Sequence, residues 1–522
     1  MQATVLSFSL VGLDPQPVRV EVDSSRGIAQ FNLVGLPEAS VRESRVRVRA
    51  ALQHVGVELD EQVITVNLAP ADVKKSGGCF DLAIAIGILG ALGRVPEGAL
   101  GGTAVLGELS LSGAIKQVRG VLPVLRAAAK NGVTRAVVPQ ENAAEAAHVT
   151  GIEVLPAREL GDVVAHFTGE RPLAIVRAPA IEFARIASDL DLSEIRGQHG
   201  ARRAMEVAAA GGHNLLFVGP PGCGKTMAAR RLPTILPPLS PEEALEVTAI
   251  HSIAGLVPGA GLVTVRPFRA PHHTVSSVGL VGGGDPIRPG EVSLAHRGCL
   301  FLDEIAELRR GALEALRQPL EDGVVMICRA KSRATFPAKP LVIAAANPCP
   351  CGFAEEPGRE CLCSPERVAS YRARLSGPLL DRIDLQVALR QVPISDLTSG
   401  ALGEPSAAVR ERVSRARAAQ ADRLRQREVR VDLNAALPPR DLAKVASLDE
   451  QGSQILARAV ERLGLSARAY TKVLRVARTV ADLEGSAAVK AMHVAEAVQL
   501  RLLDRRGAPA GRARRGRSKA AA

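Results

Sequence analysis

The chain has 522 residues, 47% of them hydrophobic and 23% charged, which is too long for one core and implies two to four domains of a soluble globular protein. No apolar run approaches the roughly 18 residues that span a bilayer, and eight cysteines in this length do not make a disulfide scaffold. The net charge is +12, but residues 505–522 carry seven basic residues and no acid, leaving +5 for the rest.

The first residues, MQATVLSFSLVGL, lack the basic leader and cleavage site of a signal peptide and suit a first β-strand, so the cytoplasm is the expected location. VRVEVD, QFNLVG, VITVNLAP and AVVPQ predict further strands, and SVRESRVRVRAALQHVG and VLPVLRAAAKNG predict amphipathic helices. Leu82 to Leu92 predicts a buried helix. This mixture is α/β or α+β over residues 1–168, followed by a Pro- and charge-rich linker, 169–191. From 192 to 394, apolar strands alternate with glycine-rich loops and helices, the pattern of a parallel sheet. From 395 to 504 the chain turns Ala/Arg/Leu-rich and helical. The basic stretch 505–522 predicts a disordered tail that contacts nucleic acid or merely aids solubility. With no tryptophan and two tyrosines, base stacking on aromatic rings has no compositional support.

The chemistry concentrates in the second unit. Leu215 to Val218 predicts a buried strand running into Gly219, Pro220, Pro221, Gly222, Cys223, Gly224, Lys225 and Thr226, which fit G-x-x-x-x-G-K-[ST] without a gap. Backbone amides of such a loop wrap a β-phosphate, the lysine meets the β/γ-phosphates and the threonine hydroxyl binds Mg²⁺. Cys299 to Leu302 predicts a second apolar strand ending in Asp303 and Glu304, 77 residues after Thr226. Asp303 is placed to hold Mg²⁺ through its water shell, and Glu304 to activate the attacking water. A third strand, Leu341 to Ala346, ends in Asn347, either a polar contact at the γ-phosphate or a turn residue. Arg382 lies between Asp381 and Asp384, either a structural ion pair or a cation for a neighbouring subunit's phosphate. Arg468 opens a helix from which it can contact nucleotide.

Three further features leave alternatives open. Cys349, Cys351, Cys361 and Cys363, two C-x-C pairs nine residues apart, suit a structural Zn²⁺ site, free thiols or, less well in a reducing compartment, disulfides. His272 and His273 suit a loop that lines a pore or contacts substrate better than a metal site. Val324 to Phe336 predicts a β-hairpin with Arg329, Lys331 and Arg333 around its tip, either a grip on phosphates or a solvated basic turn.

GGHNLLFVGPPGCGKT, RPFRAPHHTVS, PGEVSLAHRGCLFLDE, AAANPCPCG, LSGPLLDRIDL and SARAYTKVLRVARTVADL, in this order, resemble the ComM/YifB family of magnesium-chelatase-like AAA+ ATPases. The resemblance covers nearly all of the chain except the tail. It implies ATP and Mg²⁺ as cofactors, a hexameric ring with ATP sites between subunits, Glu304 as catalytic residue, Asn347 as sensor 1, Arg382 as arginine finger and Arg468 as sensor 2. It also implies a motor acting on DNA, since the family includes a branch-migration helicase of natural transformation, with a protein-remodelling or metal-insertion motor as the alternative. KSGGCFDLAIAIG and GELSLSGAIKQVRGVLPVLRAAAKNGVTRAVVPQEN resemble the Lon-protease-like domain of the ribosomal S5-type fold. Cys79 stands where that family has its serine and Leu122 where it has its lysine, so the implied reading is a non-proteolytic scaffold.

Overall fold

A computed structural model describes residues 1–75, 77–179, 189–329, 332–354, 356, 359–375, 377–393 and 402–501. Lys331, part of the linker, the 394/395 boundary and the basic tail lie outside them.

The N-terminal part is a seven-stranded mixed sheet. Its order across the sheet is Gln30–Val34, Gln62–Ala69, Asp14–Arg26, Gln2–Val11, Thr103–Val105, Arg135–Pro139 and Glu153–Ala157. The first two strands of the chain form one long antiparallel hairpin from Gln2↔Asp23 to Val11↔Asp14, while Arg135–Pro139 and Glu153–Ala157 run parallel. Helix Asp81–Ala91 is buried all round, except for Gly90, because its sequence is apolar on every face. It packs on the hairpin strands, and Gly87 permits the approach, since a Cβ there would lie 2.7 Å from Val22.

The second part is built on a five-stranded parallel sheet ordered Phe268–Arg269, Cys299–Leu302, Leu341–Ala346, Leu215–Val218 and Leu385–Ala388. Both faces are covered, so the strands read as continuous apolar runs rather than as alternation. Successive residues still point to opposite cores. Leu215, Phe217, Phe301 and Ile343 join one hydrophobic cluster, while Leu216, Val218, Leu300, Leu302 and Val342 join another.

The first of these clusters continues without a break into the C-terminal helices. Helix His199–Gly211 packs against Ser406–Arg425 and Ala467–Leu483, and Val409, Val413, Val473, Val476 and Val480 share the core that holds Leu215 and Phe217. Chain continuity is matched by main-chain bonding. Arg501 bridges to Gln386 of the edge strand, and its guanidinium donates to the Asp384 carbonyl. Buried Asp384 accepts from Lys472 at 2.8 Å and lies 3.4 Å from His213. Burial alone would raise its pKa, yet the Lys472 ammonium, with His213 beside it, holds it below the ordinary carboxylate range.

The N-terminal part docks on this unit through helix Pro241–Ala254 and the hairpin Val324–Arg329/Ser332–Pro337. Ser252 donates to the buried Glu145 carboxylate at 2.6 Å, and Gly12 lies so close to Ala334 that a Cβ would come within 2.7 Å. Val176 pairs with Val154, so part of the linker returns to the N-terminal sheet. No described helix is long and apolar enough to cross a membrane.

Candidate functional site: the C-terminal edge of the parallel sheet

In a parallel sheet all strands end on the same edge, and the loops after them converge there. Val218 pairs with Ala346, and Leu302 with Ala344, so Leu341–Ala346 lies between the strand that feeds the glycine-rich loop and the strand that ends in acids. Gly219, Asn347 and Asp303 therefore leave three adjacent strands side by side. The Gly219 amide donates to the Ala346 carbonyl at 3.2 Å, which ties the start of the loop to the central strand.

Gly222 and Gly224 have φ of +77° and +95°, the left-handed region that turns the loop's backbone back before helix Lys225–Arg231. Cys223 is buried between them, its thiol pKa raised by burial, and its carbonyl accepts from Gln198 at 3.2 Å. Gln198 also donates to the Arg390 carbonyl at 2.6 Å and so pins the loop to the chain beyond the edge strand. The sequence reading missed this brace, whose only signal was a polar residue just before a helix.

Lys225 Nζ donates to the carbonyls of Gly219 and Pro220, at 2.7 and 2.9 Å, and to Asn347 Oδ1 at 3.0 Å. Burial lowers its pKa, opposed by the nearby charges of Asp303 and Glu304. The Thr226 hydroxyl donates to Asp303 Oδ2 at 2.9 Å, and Asp303 Oδ1 accepts the Glu304 amide at the same distance. Glu304 has φ 47° and ψ 45°, an uncommon conformation for a residue with a side chain, and its side chain is exposed. Glu304 Oε2 lies 3.2 Å from His273 Nδ1. The RAPHHT segment thus places His273 on the carboxylate, where the sequence suggested only a pore-lining or substrate-contacting loop. His272 packs on His273 with ring centroids 4.0 Å apart and bonds Thr274.

Eight loop residues, an ammonium, a hydroxyl, two carboxylates and an amide thus share one edge. A triphosphate with Mg²⁺ fits this donor set: amides and Lys225 for the phosphates, Thr226 and Asp303 for the metal.

Arg382 and Arg468 are elsewhere. Both line a cleft of about 700 Å³ with Asn214, Leu341 and Asp384, residues at the opposite, N-terminal ends of the strands. Arg382 ion-pairs with Glu321 and donates to the Arg317 carbonyl at 3.0 Å, so its acid partner is neither Asp381 nor Asp384. Both arginines thus stand at the end of the sheet opposite the glycine-rich loop.

Cys349, Cys351, Cys361 and Cys363 bring their sulfurs within 4.8 Å of one another, with Cys349–Cys351 at 3.3 Å, Cys351–Cys361 at 3.5 Å and Cys349–Cys361 at 3.7 Å. Four thiolates about 2.3 Å from a tetrahedral Zn²⁺ would stand about 3.8 Å apart, close to this spacing. The cluster can hold a metal ion.

In the N-terminal part, Cys79 is directed to the Phe8 carbonyl at 3.8 Å, and burial pushes its thiol up to about 12. Leu122 is buried in an apolar cluster. Neither the nucleophile nor the amine of a Lon-type dyad stands at these two positions.

Fold and site together define a P-loop nucleotide-binding core of the AAA+ class. Comparisons with known proteins specify it further. Models of "Magnesium chelatase, subunit ChlI", "Subunit ChlI of Mg-chelatase" and "Magnesium chelatase, subunit ChlI C-terminal" match residues 191–397, 20–142 and 403–501. The chain is 42% identical to competence protein ComM of Haemophilus influenzae over 508 residues, 96% of this chain and 98% of that one. It is 40% identical to YifB of Escherichia coli over 496 residues, 95% and 96% of the two. Lon protease 2 of Bacillus subtilis is 28% identical over 145 residues, 26% of each chain. The chain belongs to the ComM/YifB family of magnesium-chelatase-like AAA+ ATPases, with an N-terminal part similar to Lon proteases.

Proposed function

We propose that the protein hydrolyses ATP at the edge formed by Gly219–Thr226, Asp303, Glu304 and Asn347, and that it uses the energy to move along DNA. The observation that carries the ATPase reading is the 2.9 Å bond from Thr226 to Asp303, which puts the two ligands expected of one Mg²⁺ side by side. In this reading Lys225 exchanges its three protein acceptors for phosphate oxygens. Glu304, turned outward and held by His273, takes the proton of the attacking water, and Asn347 orients that water. Arg382 and Arg468, at the far ends of the strands, act on a neighbouring subunit's nucleotide in a ring, proposed to be hexameric. The N-terminal part serves as a non-proteolytic scaffold, and the cysteine cluster as a structural Zn²⁺ site.

DNA as the substrate is supported by the name of one relative, a competence protein, and by the hairpin, whose Arg329 and Arg333 are exposed. Such contacts bind phosphates without reading sequence. The test is the ATPase rate with single-stranded, duplex and branched DNA. Stimulation that falls steeply with added salt, and that is lost in Arg329→Ala/Arg333→Ala, is expected. A rate indifferent to every DNA would remove the DNA reading. The match to magnesium chelatase subunits favours a second reading, a motor for a partner protein. Stimulation by a co-purifying protein instead of DNA would select it.

A further inference from the structure

The four-cysteine loop is not a remote ornament of the ATPase edge, because it is packed into it on three sides. At its start, Cys349 follows Asn347 by two residues, and Asn347 Oδ1 accepts from Lys225. Three residues after Cys349, Gly352 lies against the phosphate loop. It has φ +88°, and a Cβ there would come 2.4 Å from Cδ of Pro221. At its end, Cys363 is followed directly by Ser364, whose hydroxyl caps helix Pro365–Arg374. That helix returns to the site. Arg372 donates to the Pro348 carbonyl at 3.2 Å, and Arg374 donates to the Ala306 carbonyl and to Glu307 at 3.4 and 2.9 Å, on the turn that follows Glu304.

Between these anchors the loop has little core of its own. Cys349 is buried, but Cys351, Cys361 and Cys363 are half-buried, and Leu362 is 84% exposed. Among the described residues of the loop the Arg359 guanidinium lies 4.9 Å from the Phe353 ring centroid, and the sulfurs converge from chain positions 12 residues apart. A metal ion bound by the four sulfurs would close such a loop, and its binding energy would become local folding energy.

We propose that one Zn²⁺, held by Cys349, Cys351, Cys361 and Cys363, clasps this loop against Pro221 and so sets the nucleotide affinity of the phosphate loop: metal occupancy gates ATP binding. The proposal rests on the reading of Gly219–Thr226 as the nucleotide site but not on the DNA reading. Coupling of this kind is reciprocal, so bound nucleotide must tighten zinc binding by the factor by which zinc tightens nucleotide.

The test uses the full chain purified under reducing conditions, without DNA. Elemental analysis is expected to find one zinc per chain. Stripping the zinc with a chelator, then desalting into Mg²⁺, should weaken binding of a fluorescent ATP analogue by about 5- to 150-fold, the usual range for coupled sites. Re-addition of zinc should restore it, and nucleotide should shift the equilibrium of zinc between a chromophoric chelator and the chain toward the chain. Cys361→Ser/Cys363→Ser should lose both zinc and affinity. Gly352→Ala, loaded with zinc, should still lose affinity, because its Cβ would meet Pro221 and strain a backbone held at φ +88°, and it decides the matter if the cysteine variant fails to fold. A reduced chain without zinc, or a zinc-free chain that binds nucleotide as tightly as the loaded one, overturns the proposal. So does a Gly352→Ala variant with unchanged affinity. Loss of nucleotide binding in every form, zinc-loaded included, would instead sink the underlying nucleotide-site reading.

Discussion

His273 Nδ1 stands 3.2 Å from Glu304 Oε2, joining the insertion between the two nucleotide motifs to the carboxylate at the end of the acidic strand. The contact fixes one rotamer of a side chain whose backbone already sits in the left-handed region. His273→Ala should leave nucleotide affinity intact and lower kcat by up to about 100-fold, the scale of a misplaced catalytic group. Steady-state ATPase kinetics beside an equilibrium binding titration separate the two effects. An equal loss in both would assign His273 to binding instead.

Lys225→Ala should abolish nucleotide binding, because the ammonium stands at the loop's phosphate-facing edge with three acceptors to exchange. Glu304→Gln should bind ATP and fail to turn it over. Single-turnover measurements with radiolabelled ATP check this, and hydrolysis by Glu304→Gln at the parental rate would show that Glu304 is not the base.

Arg382→Ala breaks the ion pair with Glu321 and empties a position at the far end of the sheet. If that arginine serves a neighbour's phosphate, turnover should fall by about 10³-fold or more. Mixing Arg382→Ala with Glu304→Gln subunits should then recover part of the activity, since some interfaces regain both groups. Mixed assemblies as inactive as either parent would confine Arg382 to a structural role.

His296 supplies a pH dependence. Its Nδ1 accepts the Lys339 amide at 3.1 Å, and its Nε2 faces Glu246 at 3.3 Å, so the folded state holds it neutral. Burial pushes its pKa down to about 4, outweighing Glu246, and Arg297 pushes the same way. The unfolded chain takes up this proton near pH 6.5. Stability therefore rises with pH between about 4 and 6.5 and is lost as pH falls through that window, by up to about 3 kcal/mol. Thermal melts of the parent and of His296→Asn, which keeps an acceptor for Lys339, should diverge in slope within that window alone.

The phosphate loop and the acidic strand were legible because their chemistry lies in contiguous residues: Gly222 and Gly224 are needed for backbone conformation, and Asp303 follows directly from an apolar strand. The convergence of the four cysteines followed from spacing. What stayed hidden depends on contacts between distant segments. Gln198 bonds Cys223 and Arg390 across intervals that no local pattern encodes. His273 lies in a loop whose path is set by the tertiary fold. The sequence left Arg382 either to an ion pair with its flanking acids or to a neighbour's phosphate; the chain turns at Asp381 and Arg382 and sends Asp384 inward to Lys472, while Arg382 pairs with Glu321.

The continuous core beneath Leu215, Phe217, Val413 and Val476 bears on how such a motor would transmit force. Helices that share their interior with the sheet move apart from it only by exposing that core to water, which costs free energy. In a ring of the kind proposed, a stroke would then travel outward, as the tilting of whole protomers against one another.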